Sequence, residues 1–341
     1  MRPKIFITRR LPGPCFERML EEFDAEVWPE WRHPPHDVLV EKARVVDGIV
    51  SLLTDKVDCK VIEEGTKNRL RIVAQYAVGY DNIDVECATK HGVYVTNTPD
   101  VLTEAVAELT WGLILTAARN IVKADSYVRS GEWRRSGTGW HPELMLGYEL
   151  RGKTLGIIGF GRIGRAVARI GAKGFGMRVL YYSRSRAPRD IEKELNAEYV
   201  PLYVLLRESD IVSIHVPLTP ETRYMIREPE LRLMKPTAIL VNTARGAVVD
   251  TSALVKALKE GWIAAAALDV FEEEPLPPDH PLTRLPNVVL APHIGSATHK
   301  AREAMACAVL ENLVAFKRGR VPPNLVNRDV VERAKPGFIS A

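Results

Sequence analysis

At 341 residues the chain is long for one domain, so two domains are expected. Apolar content of 46% and charged content of 26% are ordinary for a water-soluble globular protein. A net charge of +4, with no Lys/Arg block and no interleaved aromatic stripe, argues against a nucleic-acid partner.

The apolar run in MRPKIFITRR is too short for a signal-peptide core. The apolar region 105–118 contains Glu108 and is shorter than the roughly 20 residues a membrane span needs. Cys15, Cys59, Cys87 and Cys307 lack C-x-x-C spacing and read as reduced, packed thiols. The expectation is a soluble cytoplasmic protein with no membrane partner and no metal.

Strand and helix patterns alternate from the start. Residues 4–8 read as a strand and 14–23 as an amphipathic helix. Residues 47–53 (DGIVSLL), 70–75 (LRIVAQ) and 93–97 (VYVTN) read as further strands, with a helical pattern at 59–64. Such alternation argues a parallel sheet covered by helices. The stretch Val78-Gly79-Tyr80-Asp81-Asn82-Ile83-Asp84 lies just past a strand's carboxyl end, where open α/β sheets offer backbone amides to ligands. From spacing alone it reads more readily as an ordinary turn with Asp84 capping the next helix. Pro99 stops strand pairing. A long helix is expected over 103–129, with Val106, Leu109, Leu113, Ala117 and Val122 on its apolar side, and the first domain crossing just before it. Residues 130–152, with Trp133, Trp140 and His141, show no period and read as an irregular functional or interface segment.

Next comes a strand at 154–158 and Gly159-Phe160-Gly161-Arg162-Ile163-Gly164, a G-x-G-x-x-G turn. Ile163, Ala166, Val167 and Ile170 recur at helical spacing, and 177–182 read as a second strand. Strand, turn, helix and parallel strand are the context that dinucleotide binding requires. Gly159 allows a tight turn, Gly161 lets a pyrophosphate approach the backbone, and Gly164 lets helix and strand lie close. The helix N-terminus would hold the phosphate charge.

Residues 191–200 lead to a helical stretch at 202–206. Strands are expected at 210–216, 237–242, 264–270 and 288–291, with helices at 250–260 and 298–318. Arg245, Glu274 and His293 all fall just beyond strand ends, the ligand-binding side of doubly wound folds. Each has a structural alternative when taken alone: an ion pair, a solvated acidic loop, or a structural histidine. Together they match reduction of a 2-oxo acid by a nicotinamide. Arg245 would grip the carboxylate, His293 would protonate the ketone oxygen, and Glu274 would orient His293.

The set VGYDNID, GFGRIG, HVPLT, NTARG, LDVFEEEP and APHIGS resembles the D-isomer-specific 2-hydroxyacid dehydrogenases, and within them the glyoxylate and hydroxypyruvate reductases. The resemblance spans about 4–327. It implies two doubly wound parallel-sheet α/β domains. One is a discontinuous, flavodoxin-like substrate domain, 1–100 plus 296–330; the other is a Rossmann NAD(P)-binding domain, 101–295; a C-terminal tail, 331–341, follows, and the polar stretch after Pro322 reads as a loose wrap over one domain. It implies catalytic roles for Arg245, Glu274 and His293. It implies cofactor contacts at Val106, Gly159, Phe160, Gly161, Arg162, Ile163, Gly164, Ser183, Arg184, Ser185, Arg186, Val216, Pro217, Thr222, Thr243, Ala244, Arg245, Asp269, His293 and Gly295. Substrate contacts are implied at Leu53, Val78, Gly79 and Trp140, besides Arg245 and His293. Members of the family are usually homodimers joined through the cofactor domain.

The end of the second fingerprint strand bears on the cofactor. NAD-preferring enzymes place an acid there for the ribose 2′-hydroxyl. Here the position holds Ser183, followed by Arg184, Ser185 and Arg186, with no acid before Asp190. Two guanidiniums and hydroxyls suit a 2′-phosphate, so NADP(H) is expected over NAD(H), with NAD(H) use possible. The expected reaction is reduction of glyoxylate, with hydroxypyruvate as a second substrate. Two alternatives stay open: a sister dehydrogenase for phosphoglycerate, lactate or formate, and a non-enzymatic NAD(H)-sensing corepressor-like binder.

Overall fold

A computed structural model describes residues 2–338, so the end of the expected tail, 339–341, lies outside the described residues. The chain divides into two compact units, Met1–Leu102 with Ser296–Ala341, and Thr103–Gly295.

The first unit carries strands β1 (Lys4–Ile7), β2 (Asp24–Val27), β3 (Gly48–Ser51), β4 (Ile72–Gln75) and β5 (Tyr94–Thr96). Helices α1 (Pro14–Glu22), α2 (His36–Ala43), α3 (Cys59–Thr66) and α4 (Val85–Lys90) connect them. The sheet order is β2-β1-β3-β4-β5 and every pairing is parallel, the flavodoxin-like order. β3 and β4 are buried along their whole length, as strands covered on both faces should be. β2 and α2 add to the elements expected; β2 is an edge strand with a half-exposed, charged sequence, and α2 carries only the short apolar run Val38-Leu39-Val40. Asp58 and Asp84 cap α3 and α4 by accepting from the Val61 and Cys87 amides.

The second unit opens with α5 (Thr103–Ala118), α6 (Ile121–Arg129) and α7 (Glu132–Ser136). The single helix expected over 103–129 is in fact two. Asn120 takes a left-handed φ of 54° and the two helices diverge by 66°. The physical cause of the break is a difference in burial: α5 is buried through Val106, Ala107, Trp111, Leu113 and Ile114, whereas α6 buries nothing, and Val122 is exposed. No single helix among the described residues is long and apolar enough to cross a membrane.

There follow β6 (Thr154–Ile158), α8 (Arg162–Phe175), β7 (Arg178–Tyr182), α9 (Arg189–Glu194), β8 (Ala197–Tyr199), α10 (Leu202–Glu208), β9 (Ile211–Ile214), α11 (Glu228–Leu233), β10 (Ile239–Asn242), α12 (Thr251–Lys259), β11 (Ala265–Leu268) and β12 (Val288–Leu290). The order β12-β11-β10-β9-β6-β7-β8, all parallel, is the dinucleotide-fold order with one strand added. Trp111 fastens α5 to α8: its indole N–H donates to Val167 O at 3.0 Å and its ring stacks on Phe175.

The chain then returns to the first unit with α13 (His299–Lys317), capped by Thr298. The segment after α13 is not a loose wrap. Val326 N–H donates to Val95 O, Asn327 accepts from Val95 N–H and donates to Val93 O, and Val330 is fully buried. The cysteines also depart from expectation, because all four are paired, as Cys15–Cys307 and Cys59–Cys87. Packing of α1 on α13 brings the Cys15 and Cys307 Cα atoms to 5.0 Å across 292 residues of sequence, which no spacing rule reveals.

Candidate active site

The glycine turn between β6 and α8 is built as the spacing requires. Gly159 has a φ of +96°, and a Cβ there would lie 2.6 Å from the His215 carbonyl oxygen. A Cβ on Gly164 would lie 2.1 Å from the Gly159 carbonyl oxygen, so helix and strand approach as closely as the backbone permits. A Cβ on Gly161 would meet nothing within 4 Å. Open space at the N-terminus of a 14-residue helix, where the first-turn amides have no partner within the helix and the dipole end is positive, is what a pyrophosphate needs. These residues fit a dinucleotide. Phe160 is buried and stacks on Tyr181 of β7, while Arg162 is exposed and Ile163 half-buried.

At the end of β7, Ser183 is half-buried and Arg184, Ser185 and Arg186 are exposed. The two arginines differ in their surroundings. Arg186 is already paired with Glu192, through Nε and Nη2 at 2.9 Å each. Glu192 lies only two residues beyond Asp190 in sequence, and α9 folds it back under the loop. The Arg186 bonds, helped by the Tyr181 hydroxyl, hold the Glu192 carboxyl below the usual range although burial opposes this.

Beyond β9, Thr222 Oγ1 donates to Pro217 O and accepts from Thr219 N–H, which ties the HVPLT segment into a compact turn; Val216 is half-buried within it. His215 keeps part of its surface, yet the protein packed around its ring pushes its pKa down to about 3, so it stays neutral. Beyond β10, Asn242 Oδ1 accepts from Ala244 N–H and its Nδ2 donates to Arg245 O, which orients the arginine's backbone. Thr243 Oγ1 meets Thr110 Oγ1 of α5 at 3.0 Å.

Glu274 and His293 are brought together. Glu274 Oε2 lies 2.7 Å from His293 Nδ1, and Oε1 accepts from Phe271 N–H at 2.9 Å. Burial works to raise the Glu274 carboxyl, but His293, the Phe271 amide and the Arg245 charge outweigh it, so it titrates below its ordinary value. That Arg245 is felt by Glu274 places the three groups in one electrostatic neighbourhood. Its neighbour Glu272 serves structure: it accepts from Thr251 N–H at the start of α12 and from the Tyr224 hydroxyl.

Asp269, expected among the cofactor contacts, fastens the histidine loop. It is 1% exposed, and its two carboxylate oxygens accept from Ile294 and Gly295 N–H, both at 2.8 Å. Its carbonyl accepts from His293 N–H at 2.9 Å. Three consecutive amides on one residue hold His293 at a left-handed φ of 55°, which a non-glycine residue keeps only when its surroundings fix it. Val106 packs at the position a Gly295 Cβ would face.

In the first unit, Val78 and Gly79 follow β4, and their carbonyls are tied back by Asn97 Nδ2 and Gln75 Nε2 at 2.8 and 3.2 Å. In a trans peptide the next amide points the opposite way, so the Gly79 and Tyr80 N–H groups are turned away from the Asn97 and Gln75 side chains. Gln75, fully buried, also accepts from Ser51 and donates to Asn82, whose amide nitrogen donates to Leu52 O and Asp55 O. One amide network therefore fixes both the Val78–Gly79 turn and the turn that carries Leu53. Trp140 lies in the segment after α7 and is 85% exposed. The residues that sequence reading missed are these fasteners, Gln75, Asn82, Asn97, Glu192 and Asn242; polar residues inside apolar strands or just past their ends were the available signal.

An open glycine turn, a histidine–carboxylate pair and an arginine at neighbouring strand ends define a nicotinamide-dependent dehydrogenase. Residues 111–295 match the D-isomer specific 2-hydroxyacid dehydrogenase NAD-binding domain, and the chain belongs to that family. It is 64% identical to a glyoxylate reductase of Aeropyrum pernix over 99% of both chains. Among solved structures it resembles a Thermus thermophilus protein at 45% identity and a TM-score of 0.86, covering 95% of this chain and 99% of that one. It also resembles an NADPH-dependent glyoxylate/hydroxypyruvate reductase of Sinorhizobium meliloti, bound to NADP and malonate, at 34% identity and a TM-score of 0.84 over all of both chains. The protein is an NAD(P)-dependent oxidoreductase acting on a CH–OH group.

Proposed function

We propose that the protein reduces glyoxylate to glycolate with NADPH, takes hydroxypyruvate to D-glycerate as a second reaction, and uses NADH less well. The observation that carries the reaction is the Glu274–His293 pair beside the charge of Arg245. The substrate is supported by the 64% identity to the Aeropyrum pernix glyoxylate reductase. NADPH is supported by Ser183 where NAD enzymes carry an acid, with Arg184 beside it, and by the NADP complex of the Sinorhizobium meliloti relative.

The bound dinucleotide supplies the hydride. In this reading Arg245 holds the substrate carboxylate with a two-pronged hydrogen bond. His293 uses Nδ1 toward Glu274, which leaves Nε2 to give the proton to the carbonyl oxygen; solvent restores it after product leaves. The Glu274 carboxylate stabilises the positive ring before that transfer. Val78, Gly79 and Leu53 belong to the substrate side, and Gly161, Thr243 and Val216 to the cofactor side.

We also propose a homodimer. Ile121, Val122, Val128, Trp133, Trp140, Leu144 and Leu146 are all exposed in one stretch of the second unit, an apolar surface that a second copy would cover. A location in the cytoplasm completes the reading; disulfides there are uncommon outside hyperthermophiles, and thiol counting under non-reducing conditions checks the pairing.

The test is an absorbance panel of glyoxylate, hydroxypyruvate, pyruvate and 3-phosphohydroxypyruvate, each with NADPH and NADH, alongside light scattering for mass. The highest kcat/KM should be for glyoxylate with NADPH. A preference for another acid would move the protein to a sister activity, and no turnover of any would favour a cofactor-sensing binder.

A further inference from the structure

The loop that follows β7 is fastened from beneath at both ends. Tyr199 O–H donates to Ser183 O at 3.1 Å, which holds its start. Tyr181, fully buried and stacked on Phe160 of the glycine turn, accepts from Ala187 N–H at 2.8 Å, which holds its end. The same hydroxyl donates to Glu192 Oε1 at 2.6 Å, and Glu192 takes Arg186 with both oxygens. Glu192 is itself only 8% exposed. Arg184 and Ser185, between the fastenings, occupy solvent-exposed positions.

We infer that Glu192 is a positioning residue for cofactor choice: it locks Arg186 and, through Tyr181, the Ala187 amide, so that Arg184 rather than Arg186 meets the ribose 2′-phosphate. The inference rests on the NADPH reading and sharpens it. A bare carboxylate close to the ribose would repel a 2′-phosphate, but the bidentate Arg186 cancels the Glu192 charge and leaves the Arg184 charge to act. A buried acid that would otherwise signal NAD is thereby converted into scaffolding.

The experiment uses adenosine 2′,5′-bisphosphate and adenosine 5′-monophosphate as probes, titrated calorimetrically into the full-length wild type, Arg184→Ala, Glu192→Gln and Tyr181→Phe. The ratio of the two affinities reads the 2′-phosphate contact alone, since a general loosening weakens both probes together. The wild type should prefer the bisphosphate by about tenfold or more, and Arg184→Ala should bring the ratio close to one. Glu192→Gln should cut the ratio about fivefold with the monophosphate affinity nearly unchanged, and Tyr181→Phe should move it the same way if Glu192→Gln fails to fold. A tighter bisphosphate complex in Glu192→Gln would mean that the released Arg186 is the ligand, which overturns the inference. Equal weakening of both probes, or an unchanged ratio, overturns it too while the NADPH reading stands. A wild-type ratio near one removes both.

Discussion

Alanine placed in turn at Gly161 and Gly164 should separate the two tasks of the glycine turn. At Gly164 the new Cβ would sit 2.1 Å from the Gly159 carbonyl oxygen and 3.0 Å from an Ile157 methyl. Carbon–oxygen contacts relax at roughly 3.3 Å, so α8 must move off β6 by about 1 Å. Overpacking of that kind costs ~1–3 kcal/mol, and the better helix propensity of alanine returns up to about 1 kcal/mol. The net expectation is a loss of roughly 1–2 kcal/mol. At Gly161 the φ of −78° suits any residue and nothing lies within 4 Å, so the urea midpoint should stay put, within about 0.5 kcal/mol. The added methyl would occupy the space a pyrophosphate must enter, and losing about 2 kcal/mol of that contact raises the NADPH Kd roughly 30-fold. Urea unfolding followed by circular dichroism and NADPH fluorescence titration measure the two quantities on the same samples. Wild-type NADPH affinity in Gly161→Ala, or destabilisation there equal to that of Gly164→Ala, would refute the assignment of the turn as a phosphate seat.

Glu274→Gln removes the charge 2.7 Å from His293 Nδ1 and should lower kcat/KM for glyoxylate about 10- to 30-fold, roughly 1.5–2 kcal/mol, with NADPH Kd unchanged. Steady-state kinetics paired with the same fluorescence titration checks this, and a large shift in Kd would contradict it. Gln75→Met should free the Gly79 carbonyl and strand Asn82, raising the glyoxylate KM about tenfold and destabilising the first unit by ~1–3 kcal/mol; an unchanged KM would show that the turn needs no fastening. Cys15→Ser opens a loop of 292 residues and should lower stability by about 3–5 kcal/mol, read as a shift in the urea midpoint that reductant reproduces in the wild type. Glu274, Glu272 and Asp210 titrate below their ordinary values, so their stabilisation is present above the usual carboxylate range and disappears as pH falls through the depressed values. Asp269 and Asp55, raised by burial, act in the opposite sense as pH rises past about 4. The melting temperature should therefore fall as the pH is taken down through and below the ordinary carboxylate range, in a scan by differential calorimetry.

Buried strands were legible because they are short apolar runs closed by glycine, proline or a polar residue, and β6 was bounded to the residue by that rule. The edge strands β2 and β8 were not, since an edge carries charged and half-exposed residues that mimic a loop. The break at Asn120 was invisible for a related reason: apolar residues continue through it, but those on α6 face outward and carry no packing information. Cysteine pairing depends on α1 meeting α13, a long-range contact that spacing cannot report. The Arg186–Glu192 pair was hidden for a like reason: an arginine in sequence shows its charge but not its partner, and the partner arrives only when α9 turns back.

Arg245, Glu274 and His293 could be found from position alone, because doubly wound sheets gather ligands at the carboxyl ends of strands and loops there are free to carry reactive groups. The same freedom is a problem for chemistry, since a loop must hold a proton donor to within a fraction of an ångström. This chain solves it in the same way at three strand ends. A buried polar side chain at or near the strand's last residue catches the backbone of the loop: Asp269 takes Ile294 and Gly295, Asn242 takes Ala244 and Arg245, and Gln75 takes Gly79. Each catch satisfies backbone groups that a buried loop start would leave unpaired, so stability and positioning come from one set of bonds. Polar residues buried at strand ends are therefore the feature to look for next to any reactive residue in such a sheet, and they read as flaws in an apolar pattern until the fold supplies their partners.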